Sequence, residues 1–213
     1  MTETNENLET FYEKILTGDF KESQKFIKII QNVNQEQNEY FKNAHPDIFH
    51  YFYEHALKEQ PYAQNIVGMM FLDGYVVKVN YDEAFKWISR SAQQGNHFAQ
   101  SNVAHLYERG YGVEINKDKM LEFYEKSAEQ GNNVAMNSLG MNYYNIKDYK
   151  NSYKWYKKAI DNGNETSREN IKKLFQTPEF GEIIFEELMK LETKLQIIEK
   201  NNPEDWNVID KKE

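Results

Sequence analysis

Cysteine is absent from this 213-residue sequence, which also has only 10 glycines and 4 prolines. Without cysteine, the chain can form neither a disulfide framework nor a metal site made of thiolates. A barrel or sandwich of many short strands needs frequent turn residues, so the scarcity of glycine and proline argues against those folds. The same scarcity favours long helices.

Long apolar runs and an excess of positive charge are also missing. The longest apolar stretch, residues 66–72, is much shorter than a membrane span, and the first residues lack the basic and apolar segments of a signal peptide. The formal net charge is -8, which is the wrong sign for a protein that neutralises phosphates. We therefore expect a cytoplasmic protein that acts without a membrane and whose partner is not nucleic acid.

The middle of the chain contains a stretch of about 36 residues that is repeated three times. Three alanines and two pairs of glycines recur at this spacing: Ala63, Ala99 and Ala135, Gly74 and Gly110, and Gly95 and Gly131. Each repeat holds two segments with apolar residues at helical spacing, and neither segment can bury its apolar stripe alone. The sequence therefore predicts three stacked helical hairpins, at 63–95, 99–131 and 135–163.

The second helix of each predicted hairpin carries a large aromatic residue at an equivalent place. Trp87, Phe123 and Trp155 align in the three repeats, and we predict that they occupy one equivalent core position. On this interpretation a change of Phe123 to alanine costs about 3–5 kcal/mol of unfolding free energy.

The second repeat has a recognisable loop and end. Residues 106–113 read LYERGYGV, and the second helix closes with AEQG at residues 128–131. This repeat resembles a Sel1-like repeat, a relative of the tetratricopeptide repeat with a longer loop between its helices. The first repeat has Val76 where the second loop glycine would stand, which leaves open how that loop turns. The third repeat lacks the glycine loop, and its connection is similar to an ordinary tetratricopeptide turn.

The resemblance covers residues 63–164 and implies an all-α fold, a right-handed α/α solenoid. It also implies a non-enzymatic adaptor or scaffold that binds another protein or peptide. Helical patterns on both flanks predict terminal caps, and whether the first cap contains a degenerate repeat stays open. The predicted organisation is an N-terminal helical cap at 1–62, repeats at 63–98, 99–134 and 135–164, capping helices at 165–200 and a polar tail at 201–213.

Catalytic motifs are absent from the sequence. It contains no glycine-rich nucleotide loop, no Gly-x-Ser-x-Gly, no Ser-x-x-Lys and no His-Glu-x-x-His. His45, His50 and His55 are five residues apart, which distributes them around a helix, whereas metal ligands four apart would share one face. We therefore expect no enzymatic activity, no cofactor and no metal.

In tetratricopeptide proteins the first helix of each hairpin lines a concave groove, so the resemblance implies a groove here too. The positions that the resemblance assigns to this groove are Asn65, Met69, Ser101, His105, Glu108, Asn137, Met141 and Tyr144. Amide side chains there could pair with a peptide backbone, and methionine adapts to apolar side chains. The alternative interpretation is that these residues are solvated or covered by the N-terminal helices.

A long C-terminal helix is predicted at 178–200, with apolar residues at nearly heptad spacing. They are Phe180, Ile184, Leu188, Leu191, Leu195 and Ile198. One interpretation is a cap that folds onto the last hairpin, because terminal repeats must be covered. The other is a helix that binds a partner or forms a homodimer. Two function classes therefore remain: an adaptor that binds its partner in the groove, and a structural protein that self-associates through this helix.

Overall fold

The computed structural model of the chain describes residues 10, 12–14, 16–17 and 47–201, with the helix path alone for 195–201. Within these residues every regular element is a helix and none is a strand, which confirms the prediction of an all-α fold. The helices are α1 Ile48–Leu57, α2 Pro61–Asp73, α3 Tyr81–Gln93, α4 His97–Arg109, α5 Lys117–Glu129, α6 Asn133–Asn145, α7 Tyr149–Asp161, α8 Thr166–Phe175 and α9 Pro178–Asn201. Most of the predicted N-terminal cap and the tail from 202 onwards lie outside the described residues.

The three predicted hairpins correspond to α2 with α3, α4 with α5, and α6 with α7. Their connecting loops span residues 74–80, 110–116 and 146–148, so the third loop is four residues shorter. The third repeat therefore lacks four residues in its loop and none in its helices, as the alignment of the repeats predicts.

Tertiary contacts divide the chain into two compact units, Met1–Leu139 and Gly140–Glu213, called unit 1 and unit 2 below. The boundary falls inside α6. Unit 1 contains the first two hairpins, and unit 2 contains α7, α8 and α9.

Asparagine side chains cap the beginnings of α3, α4, α5 and α6. The side chain of Asn80 accepts a hydrogen bond from the backbone of Glu83, and Asn96 caps α4 through the backbone of Ala99. Equivalent caps recur 36 residues later, at Asn116 and Asn132. These side chains satisfy amide groups that a helix leaves unpaired in its first turn, so the asparagines fix where each helix begins.

Two hydrogen bonds close each of the first two hairpins. A serine hydroxyl at the end of the second helix donates to a backbone carbonyl at the start of the first, at 2.6 Å, and a glutamine amide donates to a second glutamine at 2.7 Å. The pairs are Ser91–Pro61 and Gln94–Gln64, then Ser127–His97 and Gln130–Gln100. These partly buried polar pairs fix how the two helices of a hairpin meet.

In the second and third hairpins the buried aromatic residue is one position later than predicted. Tyr124 and Tyr156 are buried, whereas the side chains of Phe123 and Trp155 are partly exposed. Trp87 is buried, so the prediction is correct in the first hairpin and wrong in the other two. Neighbouring helix positions point about 100° apart, so only one of two adjacent aromatic residues can face the core. In the third hairpin that residue is Tyr156, and its ring packs so closely on Gly140 that a Cβ there would lie 2.5 Å from it.

The loop of the first repeat turns like that of the second despite its valine. Val76 has φ 55° and the equivalent Gly112 has φ 67°, so both lie in the left-handed region. Valine rarely adopts this conformation, because its Cβ crowds the backbone. The surrounding packing holds it there: Val76 lies against a buried cluster that includes Phe52 and Tyr75.

In unit 2, α7, α8 and α9 meet around a small buried cluster. Its members are Tyr149, Tyr156, Leu174 and Phe180. Phe180 lies in the first turn of α9, and its ring centroid is 5.3 Å from that of Phe175. The first turns of α9 are therefore packed against the rest of unit 2. In the described part of the chain, every helix is too short or too polar to cross a membrane.

Candidate partner-binding surfaces

Three of the predicted groove residues are buried. Asn65 exposes 2 %, Met69 1 % and Ser101 8 % of their surface. Asn65 accepts a hydrogen bond from Asn102 at 2.9 Å and donates one to the Met69 sulfur at 3.9 Å. The expectation that these three residues face a partner is therefore corrected: they belong to the interior of unit 1, where polar atoms need internal partners.

Further along the first helix of the second hairpin, the predicted residues reach the surface. The His105 and Glu108 side chains are 42 % and 32 % exposed, and Nδ1 of His105 lies 3.4 Å from Oε2 of Glu108. This hydrogen bond lowers the pKa of the Glu108 carboxyl, and burial opposes the effect. Glu108 is also hydrogen-bonded to Tyr124, so one end of this surface pair is tied to the buried core.

Two tyrosines and an aspartate that sequence reasoning missed surround this pair. Tyr81 and Tyr111 stack with ring centroids 4.4 Å apart and planes 6° apart, and the Tyr111 ring lies 6.2 Å from that of His105. Burial raises the pKa of Asp73, and nearby His105 opposes that shift. The α4 patch is defined as Asp73, Tyr81, His105, Glu108 and Tyr111. It offers carboxylate acceptors beside aromatic faces.

The 36-residue repeat could not reveal the tyrosine stack. It joins the start of a second helix to the loop of the following hairpin, so its two partners occupy different positions in consecutive repeats. The only signal in the sequence is the tyrosine that lies between the two loop glycines, Gly110 and Gly112. The Tyr111 ring stacks on Tyr81 of the preceding repeat, which the spacing within its own repeat does not predict.

The remaining predicted groove residues lie near the unit boundary. Asn137, at the end of unit 1, is partly exposed. In unit 2, Met141 is 43 % exposed, whereas Tyr144 is partly buried and its ring lies 5.6 Å from that of Tyr149. Met141 is the more accessible of the two residues in unit 2.

Helix α9 is anchored at one end and exposed beyond it. Phe180 is buried and Ile184 packs against the cluster of unit 2. Leu188 and Leu191 of the same predicted stripe are 57 % and 55 % exposed. Leu195 and Ile198 lie where only the helix path is described. The beginning of the helix thus packs as a cap would, and its middle presents apolar side chains to solvent.

Metal ligands do not cluster in the described residues: they contain no group of three or more histidine, aspartate or glutamate side chains that could hold an ion.

Comparison with known proteins places the repeats in a family. The sequence matches the Sel1 repeat at residues 61–96, 97–132 and 134–164. Among curated proteins, no sequence matches significantly.

Two solved structures share the fold. A Sel1 repeat protein from Oxalobacter formigenes is 27% identical with a TM-score of 0.55, over 63% of this chain and 57% of that one. A protective antigen of uropathogenic Escherichia coli strains, which displays an SLR fold, is 25% identical with a TM-score of 0.56, over 75% of this chain and 42% of that one. This chain therefore spans less than two thirds of either structure.

Sel1 repeats are generally non-catalytic modules for protein–protein interaction. The three matched repeats coincide with the three hairpins, and the structural neighbours carry the same kind of repeat. This chain is a Sel1-like repeat protein.

Proposed function

We propose that this protein is a non-catalytic adaptor that binds a protein or peptide partner through the α4 patch. The observation that carries the proposal is the partly exposed His105–Glu108 pair beside the stacked Tyr81 and Tyr111 rings. The other side of the same helix is fully used in the core, since Val103, Leu106 and their neighbours are buried. Its remaining face includes the partly exposed His105 and Glu108.

The chemistry of the patch indicates what kind of segment it suits. Carboxylates of Asp73 and Glu108 accept hydrogen bonds, and the tyrosine faces attract cations and apolar groups. A peptide with lysine or arginine next to an apolar side chain fits both features. Tyrosine also buries a large area at a low cost in side-chain entropy, which makes it effective at interfaces.

In unit 2, Met141 supplies a second candidate contact of the adaptor. Its side chain is flexible and apolar, and 43 % of its surface is exposed. It stands on α6, a first helix like α4. Changing Met141 to glutamate tests this contact separately from the α4 patch.

Selection of a library of random 12-residue peptides displayed on phage, with the full chain as bait, tests the adaptor proposal. We expect enriched peptides to bind His105→Ala at least tenfold more weakly than the wild type. His50→Ala is the matched control, because His50 forms a similar pair with Glu54, at 3.1 Å, on the exposed side of α1. Circular dichroism and melting should be unchanged in both variants. Equal binding to all three proteins would contradict the α4 patch as the binding surface.

Self-association through α9 is a second candidate function, and one observation favours it. Apolar side chains that continue the packed stripe of this helix are exposed by more than half, at Leu188 and Leu191. Apolar patches of this kind are typical of interaction sites.

A further inference from the structure

We infer that α9 pairs with α9 of a second copy of this chain, with the two helices antiparallel. The inference rests on the second candidate function above and adds to it the identity and the orientation of the partner helix. Three features of α9 support it: the exposed apolar face, the distribution of charge along the helix, and the anchoring of its first turns.

The exposed apolar side chains of α9 begin at Phe185, and within the same part of the helix Glu187 pairs with Lys150 of α7 at 3.0 Å. Phe185 is 64 %, Leu188 57 %, Met189 47 % and Leu191 55 % exposed. Residues three and four apart lie on one side of a helix, so Phe185, Leu188 and Met189 form a continuous surface, which Leu191 extends. A helix of the same composition presents a matching surface.

Charge is divided unequally between the two halves of α9. Residues 178–189 contain four glutamates and no lysine or arginine, whereas residues 190–201 contain three lysines and two glutamates. A parallel pair would set two strongly acidic halves side by side, and like charges at a helix interface are unfavourable. An antiparallel pair places each acidic half beside the half with the lysines. The charge pattern therefore favours the antiparallel orientation.

The anchoring of α9 favours the same orientation on steric grounds. Phe180 packs against Phe175 and Tyr153, with ring centroids 5.3 Å and 5.7 Å away, so α7 and α8 flank the first turns. In a parallel pair the flanking helices of both copies would compete for space at the same end. In an antiparallel pair they lie at opposite ends, and the exposed part of each helix meets that of the other.

A pair of single helices forms a small interface, so the dimer is expected to be weak. Interfaces at the low end of the size range are typical of transient association. We therefore expect a dissociation constant in the micromolar range, with the dimer dominant at about 100 μM protein. A different protein bound to this face would leave the pure chain monomeric at that concentration.

Light scattering of the full chain at about 100 μM tests the second copy as the partner. The monomer has a mass of 25.4 kDa, and we expect close to twice this value for the wild type. Leu188→Asp should give the monomer mass, because it places a charge in the apolar face. Ile146→Asp is the matched control and should remain dimeric, since Ile146 is 69 % exposed on a loop outside α9. A monomeric wild type, or a dimer that survives Leu188→Asp, would overturn both the inference and the second candidate function.

A distance between spin labels tests the orientation alone. The chain has no cysteine, so Glu182→Cys introduces a single labelling site on the exposed side of α9. In an antiparallel pair centred near Leu191, the two labels are separated by about 27 Å along the helix axis. In a parallel pair they are roughly 10 Å apart, the distance between packed helices. A short distance in a sample that is dimeric by light scattering would reject the antiparallel orientation and leave self-association standing.

Discussion

The first two hairpins of unit 1 share their helix lengths, caps and closing hydrogen bonds, which we call the frame, and differ in the residues of the core and the loop. All four helices have 13 residues, both hairpins begin each helix with asparagine caps or proline, and both are closed by the same serine and glutamine bonds. Their contents differ at equivalent positions: Ile88 becomes Tyr124 in the core, and Val76 becomes Gly112 in the loop. The comparison teaches that the polar bonds and loop geometry define the repeat, while the core accepts side chains of different shape.

The largest effect is expected from emptying the core position of the second hairpin. Tyr124 is buried, so Tyr124→Ala should lower the free energy of unfolding by about 3–5 kcal/mol. The sequence alone predicts the same loss for Phe123→Ala. Because Phe123 is partly exposed, we expect that variant to lose clearly less unfolding free energy than Tyr124→Ala. Urea denaturation of both variants measures the difference. If Phe123→Ala is the more damaging change, the register of the second helix described here is wrong.

The second-largest effect is expected in the loop of the second hairpin, where the first hairpin has a valine and the second a glycine. A Cβ on Gly112 would collide with the backbone carbonyl of Tyr81, and its φ of 67° is unfavourable for other residues. Gly112→Ala should therefore cost about 2–4 kcal/mol, from the clash and the backbone conformation together.

Gly131→Ala separates these two causes. Its φ is 89°, but a Cβ there would meet nothing within 4 Å, so only the backbone cost of about 1 kcal/mol applies. Equal losses in thermal or urea melts of the two alanine variants would show that contact with Tyr81 contributes nothing. Val76 shows that a side chain can occupy the same loop position where the neighbouring backbone leaves room.

Replacing a buried glutamine tests whether the closing bonds are equivalent in the two hairpins. The third repeat has Met136 where Gln64 and Gln100 stand, so methionine is a natural choice. Gln100→Met removes the bonds to Gln130 and to the carbonyl of Ala92, and should cost about 1–2 kcal/mol. Gln64→Met removes the same pair of bonds and should cost about the same. A difference of more than about 1 kcal/mol would mean that the two frames are not equivalent.

Much of the fold could be predicted because it depends on local, repeated signals. The 36-residue spacing located the hairpins, and the glycines located the ends of helices: α2 ends at Asp73, next to Gly74, and α4 ends at Arg109, next to Gly110. Pro178 marked the beginning of α9 as expected for a proline in the first helical turn. These signals need no knowledge of what packs against each helix.

The candidate site could be predicted only in part, because exposure depends on contacts between repeats. Asn65 resembles a groove residue in sequence, yet it is buried and bonded to Asn102 of the next hairpin. Phe123 and Tyr124 are both aromatic neighbours, so apolar spacing alone could not decide which one is deeper. The Tyr81–Tyr111 stack joins two hairpins and follows from neither repeat by itself.

The smallest expected effect is a pH dependence of stability that comes from a histidine of the second hairpin. Its first helix begins with His97, where the first hairpin has Pro61. Burial lowers the pKa of His97 below its usual value of 6.5, so near and below that pH the unfolded chain binds a proton more readily than the folded one. The His97 contribution to stability is therefore complete above about pH 6.5 and is lost as the pH falls.

We expect the difference in melting temperature between His97→Gln and the wild type to be smaller at pH 5.5 than at pH 7.5. Protonation of His97 destabilises the folded wild type in acid, and the variant has no histidine there to protonate. His50→Gln, at an exposed histidine of α1, is the control for effects that do not depend on a partly buried imidazole. Differential scanning calorimetry at the two pH values measures the gap for each variant. The effect should be smaller than that of either glutamine change, since His97 is only partly buried. A gap between wild type and His97→Gln that is the same at both pH values would show that the difference between the two hairpins does not extend to proton binding.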